Sequence, residues 1–123
     1  MPPDDANNSG QASADGEDLG LRAAQQEVDA WIRSTGKGYF SELTNLARLL
    51  EETGELARIY SRTRGELKAK PGEDVSDAAL QEEMGDVLFV LMCLANQADI
   101  DLGAALNQVL AKFRKRDGKR HQQ

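Results

Sequence analysis

The sequence of 123 residues contains one cysteine, one histidine and one tryptophan, and its scarcities exclude several classes of protein. With Cys93 alone, no intramolecular disulfide can form, which fits a reducing cytoplasm. The longest unbroken apolar run, Val87 to Ala95, has nine residues, whereas a membrane-spanning helix needs roughly 20. The first eighteen residues have no Lys or Arg and no apolar block, so we expect no secretory signal peptide. These absences predict a cytoplasmic protein that does not bind a membrane.

The composition that is present is typical of one soluble globular domain, with 40% apolar and 29% charged residues. Most of the net charge of −6 comes from residues 1–18, which carry five acids and no base. Residues 42–101 carry 13 acids and 6 bases, whereas residues 112–120 carry six bases and one acid. An acidic middle beside a basic end suits a metal-bound polyphosphate, although ordinary surface patterning gives the same picture.

The spacing of apolar residues predicts an all-α, four-helix bundle. Residues 1–17 have no large apolar side chain beyond Met1, so we expect a disordered tail. The predicted helices run from Leu21 to Ser34, from the N-cap Ser41 to about Ser61, from Ser76 or Asp77 to about Ala98, and from the N-cap Asp101 through Phe113. A surface loop is expected over residues 62–76, which contain Pro71-Gly72. The folded domain then covers residues 18–117, followed by a basic tail over 118–123, and a buried strand at 87–90 stays open as an alternative.

Two groups of acids on neighbouring helices are candidates for chemistry. Glu51, Glu52 and Glu55 project within one arc of the second helix, at about 100° per residue. Alone, that pattern is equally typical of a solvated acidic face. Glu83 and Asp86 share a face of the third helix, directly before the nine-residue apolar run, and a helix that is apolar all round is buried. We therefore expect Asp86 at the edge of the core, where a carboxylate must be paired, neutralised or coordinated.

If the second and third helices pack side by side, four acids converge on a candidate metal site: Glu52, Glu55, Glu83 and Asp86. At about 6 Å and an effective dielectric of about 20, each like-charge pair costs on the order of 3 kcal/mol. Arg48 and Arg58 could compensate, but an oxygen-only cluster is the usual site for Mg²⁺ or Mn²⁺. Soft-metal and di-iron sites are disfavoured, since His121 lies in the basic end and Cys93 in the apolar run.

The order and spacing of these acids resemble a known family. Glu-Glu-Thr-Gly-Glu at 51–55 followed by Glu-Met-Gly-Asp at 83–86 is similar to the Glu-Glu-x-x-Glu and Glu-x-x-Asp motifs of the MazG-like nucleotide pyrophosphohydrolases. The likeness to the small YpjD-type members extends over roughly residues 21–117. It implies an all-α fold, dependence on Mg²⁺ with Mn²⁺ as a substitute, and hydrolysis of nucleoside or deoxynucleoside triphosphates to monophosphate and pyrophosphate. It also implies house-cleaning of non-standard or surplus nucleotides by a homodimer or homotetramer.

The resemblance also implies roles for individual residues. The four converging acids are similar to the family's metal ligands, and Glu51, the remaining motif acid, would orient or deprotonate the attacking water. Lys112 and Arg116 match Lys-Phe-x-x-Arg and would bind phosphate, although a solvated helix end explains both cations equally well. From their chemistry alone, Trp31 and Phe40 are candidates for stacking on a base, with core packing as the alternative.

A function of a different class stays open. The chain could be a non-catalytic helical oligomerisation or adaptor module whose acids are structural, and joint binding of a divalent metal by the four acids would separate the two functions. Nucleic-acid binding through residues 112–120 is disfavoured, because the acidic middle of the chain would repel a polyanion. We therefore expect a nucleotide substrate and no nucleic-acid partner.

Overall fold

The described residues of a computed structural model are 19–65 and 67–122, with side chains described up to residue 118. They form four α-helices and no strand: α1 Leu21–Ser34, α2 Glu42–Thr63, α3 Asp77–Gln97 and α4 Leu102–Gln122. The all-α, four-helix prediction is confirmed, and the alternative of a strand at 87–90 is wrong because those residues lie inside α3. The tail predicted for residues 1–17 lies outside the described residues.

The helices begin at the capping residues that the sequence suggests. Side-chain oxygens of Ser41, Ser76 and Asp101 accept hydrogen bonds from backbone N–H groups two or three residues further on, at 2.8–3.3 Å. These bonds satisfy N–H groups that the first turn of a helix leaves without a partner. α4 continues to Gln122, so the segment predicted as a basic tail, residues 118–123, is helical through that residue.

The chain divides into two compact units. One contains the start of α1, up to residue 27, and the whole of α4, from residue 101. In this unit Gln25 is buried, and its side-chain oxygen accepts a hydrogen bond of 2.9 Å from the Leu102 N–H. This bond joins α1 to the first turn of α4.

The other unit, residues 28–100, contains the end of α1, α2 and α3, and in it α2 packs against α3. Its buried apolar side chains are Ile32, Ile59, Leu80, Val90, Met92, Cys93 and Ala95. Asn45 of α2 is 1% exposed, and its Nδ2 donates a hydrogen bond of 2.9 Å to Oε1 of Gln97 on α3. Because an unpaired buried amide costs about 1–3 kcal/mol, this bond favours one register between α2 and α3.

The apolar run of α3 is not buried all round, contrary to the expectation from the sequence. Leu88 and Leu91 are 44% and 39% exposed, whereas Val90 between them is 1% exposed. α2 and α3 each leave large apolar side chains exposed at helical spacing: Leu43, Leu46 and Leu50 on α2, and Met84, Leu88 and Leu91 on α3. We call these six residues the apolar stripes. Exposed apolar side chains at this spacing form a continuous apolar surface on the single chain.

Candidate active site

Three carboxylates meet where α2 packs against α3. Glu52 of α2 and Glu83 and Asp86 of α3 each offer one oxygen, and these oxygens lie within 4.8 Å of one another. The spacing of three residues puts Glu83 and Asp86 on one face of α3, and the packing of α2 brings Glu52 to them. Glu52 and Glu83 are half-buried and Asp86 is exposed. We call these three residues the acid cluster.

The acid cluster favours a proton on Glu83 at higher pH than an isolated glutamate would keep one. The pKa of Glu83 is raised from its ordinary value to about 7, first because its side chain hydrogen-bonds to Glu52, and then because of burial and the negative charges of Glu52 and Asp86. A hydrogen bond between two carboxyl groups requires a proton on one of them, so that proton takes the place of a compensating cation. A perturbed carboxyl pair of this kind is typical of a functional site.

The donor set of the acid cluster fits Mg²⁺ or Mn²⁺. All three donors are carboxylate oxygens, the ligands that hard divalent cations prefer, and the cluster contains no thiol or imidazole. Mg²⁺ is typically held by one or two carboxylates together with waters and substrate phosphates. The three carboxylates of the acid cluster therefore match this preferred ligand set.

Glu55, the fourth acid predicted as a metal ligand, lies on α2 outside the acid cluster. Its carboxylate pairs with the guanidinium of Arg58 at 2.5 Å. Arg58 also hydrogen-bonds Glu73, which lies in the segment between α2 and α3, and Glu73 accepts a second bond of 2.9 Å from Arg62. The pKa of Glu73 is lowered, first by the backbone N–H of Lys70 and then, against the opposing effect of burial, by the two arginines. Sequence analysis missed Glu73, because its contacts depend on how this segment folds back.

The remaining predicted site residues occupy separate positions. Glu51 is exposed on α2, next to Glu52. Lys112 and Arg116 are exposed on α4, in the other unit, where their charged groups lie 5.8 and 5.0 Å from the centre of the Phe113 ring. The motif Lys-Phe-x-x-Arg therefore places two cations around one aromatic side chain.

A pocket of about 510 Å³ lies in the same unit as the acid cluster. Its size falls within the range of small-molecule sites. Arg48, four residues before Glu52, and Phe89, three residues after Asp86, both line it, so the pocket lies one helical turn from the acids on α2 and on α3. We call this cavity the aromatic pocket.

The rings of Trp31, Phe40 and Phe89 give the aromatic pocket its walls. Trp31 meets Phe89 edge to face, with ring centres 5.9 Å apart and planes at 78°. Trp31 and Phe40 are 60% and 58% exposed, so neither ring lies in the core of the single chain. The two rings are instead open to the pocket and to solvent.

Comparisons with known proteins identify the family of this chain. The family model of the MazG nucleotide pyrophosphohydrolase domain matches residues 40–121, which include the acid cluster. YpjD of Bacillus subtilis (strain 168) is 49% identical over 100 residues, which cover 81% of this chain and 88% of that protein. The crystal structure of Bacillus subtilis YPJD aligns with a TM-score of 0.69 at 48% identity, over 79% of this chain and 97% of that one.

A second crystal structure, described as the Bacillus-conserved MazG protein, a nucleotide pyrophosphohydrolase, aligns with a TM-score of 0.66 at 44% identity. That alignment covers 79% of this chain and 92% of the other. The resemblance that the acid motifs suggest is thus confirmed over both sequence and fold. The chain belongs to the MazG nucleotide pyrophosphohydrolase family, as a small member of the YpjD type.

Proposed function

We propose that this protein is a Mg²⁺-dependent enzyme that hydrolyses nucleoside and deoxynucleoside triphosphates to monophosphate and pyrophosphate, as a house-cleaning activity on non-standard or surplus nucleotides. Membership of the family supports nucleotide pyrophosphohydrolase activity in general. The observation that supports the finer proposal is the convergence of Glu52, Glu83 and Asp86 within 4.8 Å, one turn from a pocket of about 510 Å³. Mn²⁺ would replace Mg²⁺ at the same oxygens.

Different residues of the chain would bind the metal ion and activate the attacking water. When bound, the metal ion would neutralise charge on the phosphate oxygens and help to lower the pKa of a coordinated water. The acid cluster would hold the ion, and Glu83 would release its proton as the ion binds. Glu55 would join as a fourth ligand by leaving Arg58. Glu51, exposed next to Glu52, would orient or deprotonate the attacking water.

Three side chains are proposed to bind the substrate. Trp31 would stack on the base, since its exposed ring borders the aromatic pocket. Lys112 and Arg116 would bind the phosphate chain, the lysine as a point charge and the arginine as a bidentate fork. Their spacing of four residues puts both cations on one side of α4.

The protein is proposed to work as a homodimer or homotetramer. The apolar stripes support this, because α2 and α3 each leave three large apolar side chains exposed in a single chain. Burial of such surface yields about 25 cal/mol per Å². Sedimentation equilibrium should give two or four times the mass of the chain, and Leu50→Glu with Leu88→Glu should dissociate the assembly. A monomeric wild-type protein would contradict this part of the proposal.

We place the enzyme in the cytoplasm. The single cysteine, Cys93, is buried, which suits a reducing compartment. Within the part of the chain that the structure describes, no single helix is long and apolar enough to cross a membrane. If α3 and α4 are counted together as one interrupted span, their combined length and composition alone reach what a membrane span needs.

Pyrophosphate release from standard, deoxy and modified nucleoside triphosphates, with Mg²⁺ or Mn²⁺, tests the function. We expect turnover that depends on metal and disappears in Asp86→Asn, while Glu82→Gln, an exposed acid four residues before Asp86 on α3, keeps it. Calorimetry should show divalent-metal binding in the wild type and the Glu82 variant. Absence of turnover at high enzyme concentration together with absence of metal binding would refute the enzyme and favour the adaptor module.

A further inference from the structure

Arg48 is a fixed cation on the wall of the aromatic pocket. Its Nη1 donates a hydrogen bond of 3.2 Å to Oδ1 of Asn45, and its guanidinium carbon lies 5.1 Å from the centre of the Phe40 ring. Arg48 is half-buried, whereas Lys37, the other cation that lines the pocket, is exposed. The contacts with Asn45 and Phe40 restrain the guanidinium before any ligand binds.

The groups that restrain Arg48 form a closed network. Asn45, 1% exposed, donates through Nδ2 to Oε1 of Gln97 at 2.9 Å. Gln97 in turn donates through Nε2 to the backbone carbonyl of Phe40 at 2.7 Å. Phe40, whose ring stacks on Arg48, is thus linked through Gln97 to Asn45, the residue that accepts the hydrogen bond from Nη1 of Arg48. A polar network whose members are paired favours one arrangement of its side chains, and Asn45 at its centre is buried.

The two charged side chains that line the aromatic pocket, Arg48 and Lys37, are both hydrogen-bond donors. A guanidinium has five N–H groups, and one of those of Arg48 is used by Asn45. None of the described side chains that line the pocket is an acid. The Thr35 hydroxyl is already engaged, since it donates to the Ile32 carbonyl at 2.7 Å and accepts from the Lys37 N–H at 3.3 Å. The pocket is therefore complementary to a flat ligand that presents carbonyl oxygens.

Nucleobases divide into keto bases and amino bases by the group at one ring position. Guanine and hypoxanthine carry a carbonyl at position 6 and uracil and thymine at position 4, where adenine and cytosine carry an amino group. Arginine pairs with the carbonyl oxygen and N7 of a keto purine, whereas a donor amino group requires an acceptor such as a carboxylate. A guanidinium in a pocket without acidic side chains therefore discriminates against amino bases.

We propose that Arg48 is the specificity-determining residue of the nucleotide site and selects keto bases, by donating from its guanidinium to the base carbonyl while Trp31 and Phe40 hold the ring. This inference rests on the proposed function for the placement of the triphosphate. Hydrolytic deamination converts adenine to hypoxanthine and cytosine to uracil, replacing an amino group by a carbonyl and releasing ammonia. Deaminated nucleotides therefore form one class of substrate that this pocket suits.

The test uses Trp31, the single tryptophan of the chain, as a fluorescent probe of the pocket. Inosine monophosphate has a carbonyl at position 6 and a proton on the adjacent ring nitrogen, whereas adenosine monophosphate has an amino group at position 6 and no proton on that nitrogen. Neither nucleotide needs hydrolysis to bind. We expect inosine monophosphate to quench Trp31 with an affinity about fivefold or more above that of adenosine monophosphate. Equal affinities, or no quenching by either nucleotide, would overturn the proposal.

Variants at Arg48 distinguish selectivity for the base from general electrostatic attraction of the nucleotide. Arg48→Gln, which can still donate to Asn45, should reduce the inosine-to-adenosine ratio to about one, and Arg48→Lys should restore it in part. Arg64→Gln removes the same charge at an exposed pair with Asp77 and should leave the ratio unchanged. An Arg48→Gln protein that keeps the wild-type ratio, with helical circular dichroism intact, would refute the role of Arg48.

Hydrolysis assays distinguish failure of this inference from failure of the proposed function. With Mg²⁺, Arg48→Gln should raise KM for inosine triphosphate about fivefold or more, with kcat within about twofold, and should change KM for adenosine triphosphate little. Monophosphate selectivity that depends on Arg48, without hydrolysis of any triphosphate, would refute the pyrophosphohydrolase and keep the keto-base site. Equal hydrolysis of inosine and adenosine triphosphates would support the enzyme and overturn the selectivity.

Discussion

Replacing Glu83 by glutamine should make the metal-free protein more stable at pH 8. The pKa of Glu83 is raised from an ordinary value of 4.5 to about 7, because it shares a hydrogen bond with Glu52, is partly buried and lies near other acids. Between these pH values the native protein holds a proton that the unfolded chain has lost, so the free energy of unfolding falls as the pH rises. Glutamine keeps a donor for Glu52 and carries no charge at any pH.

The size of the expected gain in stability follows from the shift in the pKa of Glu83. One pKa unit corresponds to about 1.4 kcal/mol, so a rise from 4.5 to about 7 sets an upper limit of about 3 kcal/mol on the effect. Glu52 and Glu83 are only half-buried and Asp86 is exposed, so solvent screens their repulsion. We therefore expect Glu83→Gln to gain about 1 kcal/mol over the wild type at pH 8 and little at pH 5, which corresponds to about 4 °C in Tm.

Thermal unfolding followed by circular dichroism, between pH 5 and 8.5 with a chelator present, measures this difference. Glu82→Gln is the matched control, since Glu82 is the adjacent, exposed acid and should leave the pH profile of the wild type unchanged. Mg²⁺ should reverse the order by stabilising the wild type more than the Glu83 variant. Parallel profiles for the wild type and Glu83→Gln, or a variant that is less stable at pH 8, would refute the shared proton.

Three further substitutions test the surroundings of the acid cluster. Arg58→Gln should raise the affinity for Mg²⁺ several-fold by calorimetry, because it frees Glu55 and removes a nearby positive charge; weaker binding would contradict this. Glu51→Gln should lower kcat by about a hundredfold or more while metal affinity stays constant, and equal losses in both would assign Glu51 to the metal instead. Asn45→Leu should cost about 1–3 kcal/mol in urea unfolding, since Oε1 of Gln97 loses the donor that Asn45 supplies, and an unchanged midpoint would refute a structural role for that bond.

Local patterns in the sequence were sufficient for the helices and for most of the acid cluster. Capping by Ser41 and Ser76 and the spacing of Glu83 and Asp86 depend on residues within four positions of one another, so sequence alone predicts them. The convergence with Glu52 required only that α2 and α3 pack together. The failure at Leu88 and Leu91 has a different cause, because periodicity cannot distinguish an apolar face that packs against its own chain from one that stays exposed in the single chain.

The details that sequence analysis missed depend on contacts over long distances in the chain. Arg58 is one of the cations that the sequence offers as compensation for the acids, but its contacts with both Glu55 and Glu73 depend on the fold of the segment after α2. Asn45 left a detectable signal, since it lies fourteen residues before Ile59 and both occupy the buried face of α2. A polar residue at a buried helical position needs a hydrogen-bond partner, so the sequence pattern alone can single out Asn45.

The hydrogen bond between Asn45 and Gln97 also explains how one packing arrangement creates both parts of the site. Asn45 lies two turns before Glu52 on α2, so the register that this bond fixes also determines how far Glu52 stands from Glu83. Sliding α2 by one turn would move Glu52 by about 5.4 Å, which exceeds the 4.8 Å that contains the three carboxylate oxygens. The same slide would separate Arg48 from the aromatic pocket. The register of α2 against α3 therefore positions the acids and the pocket together.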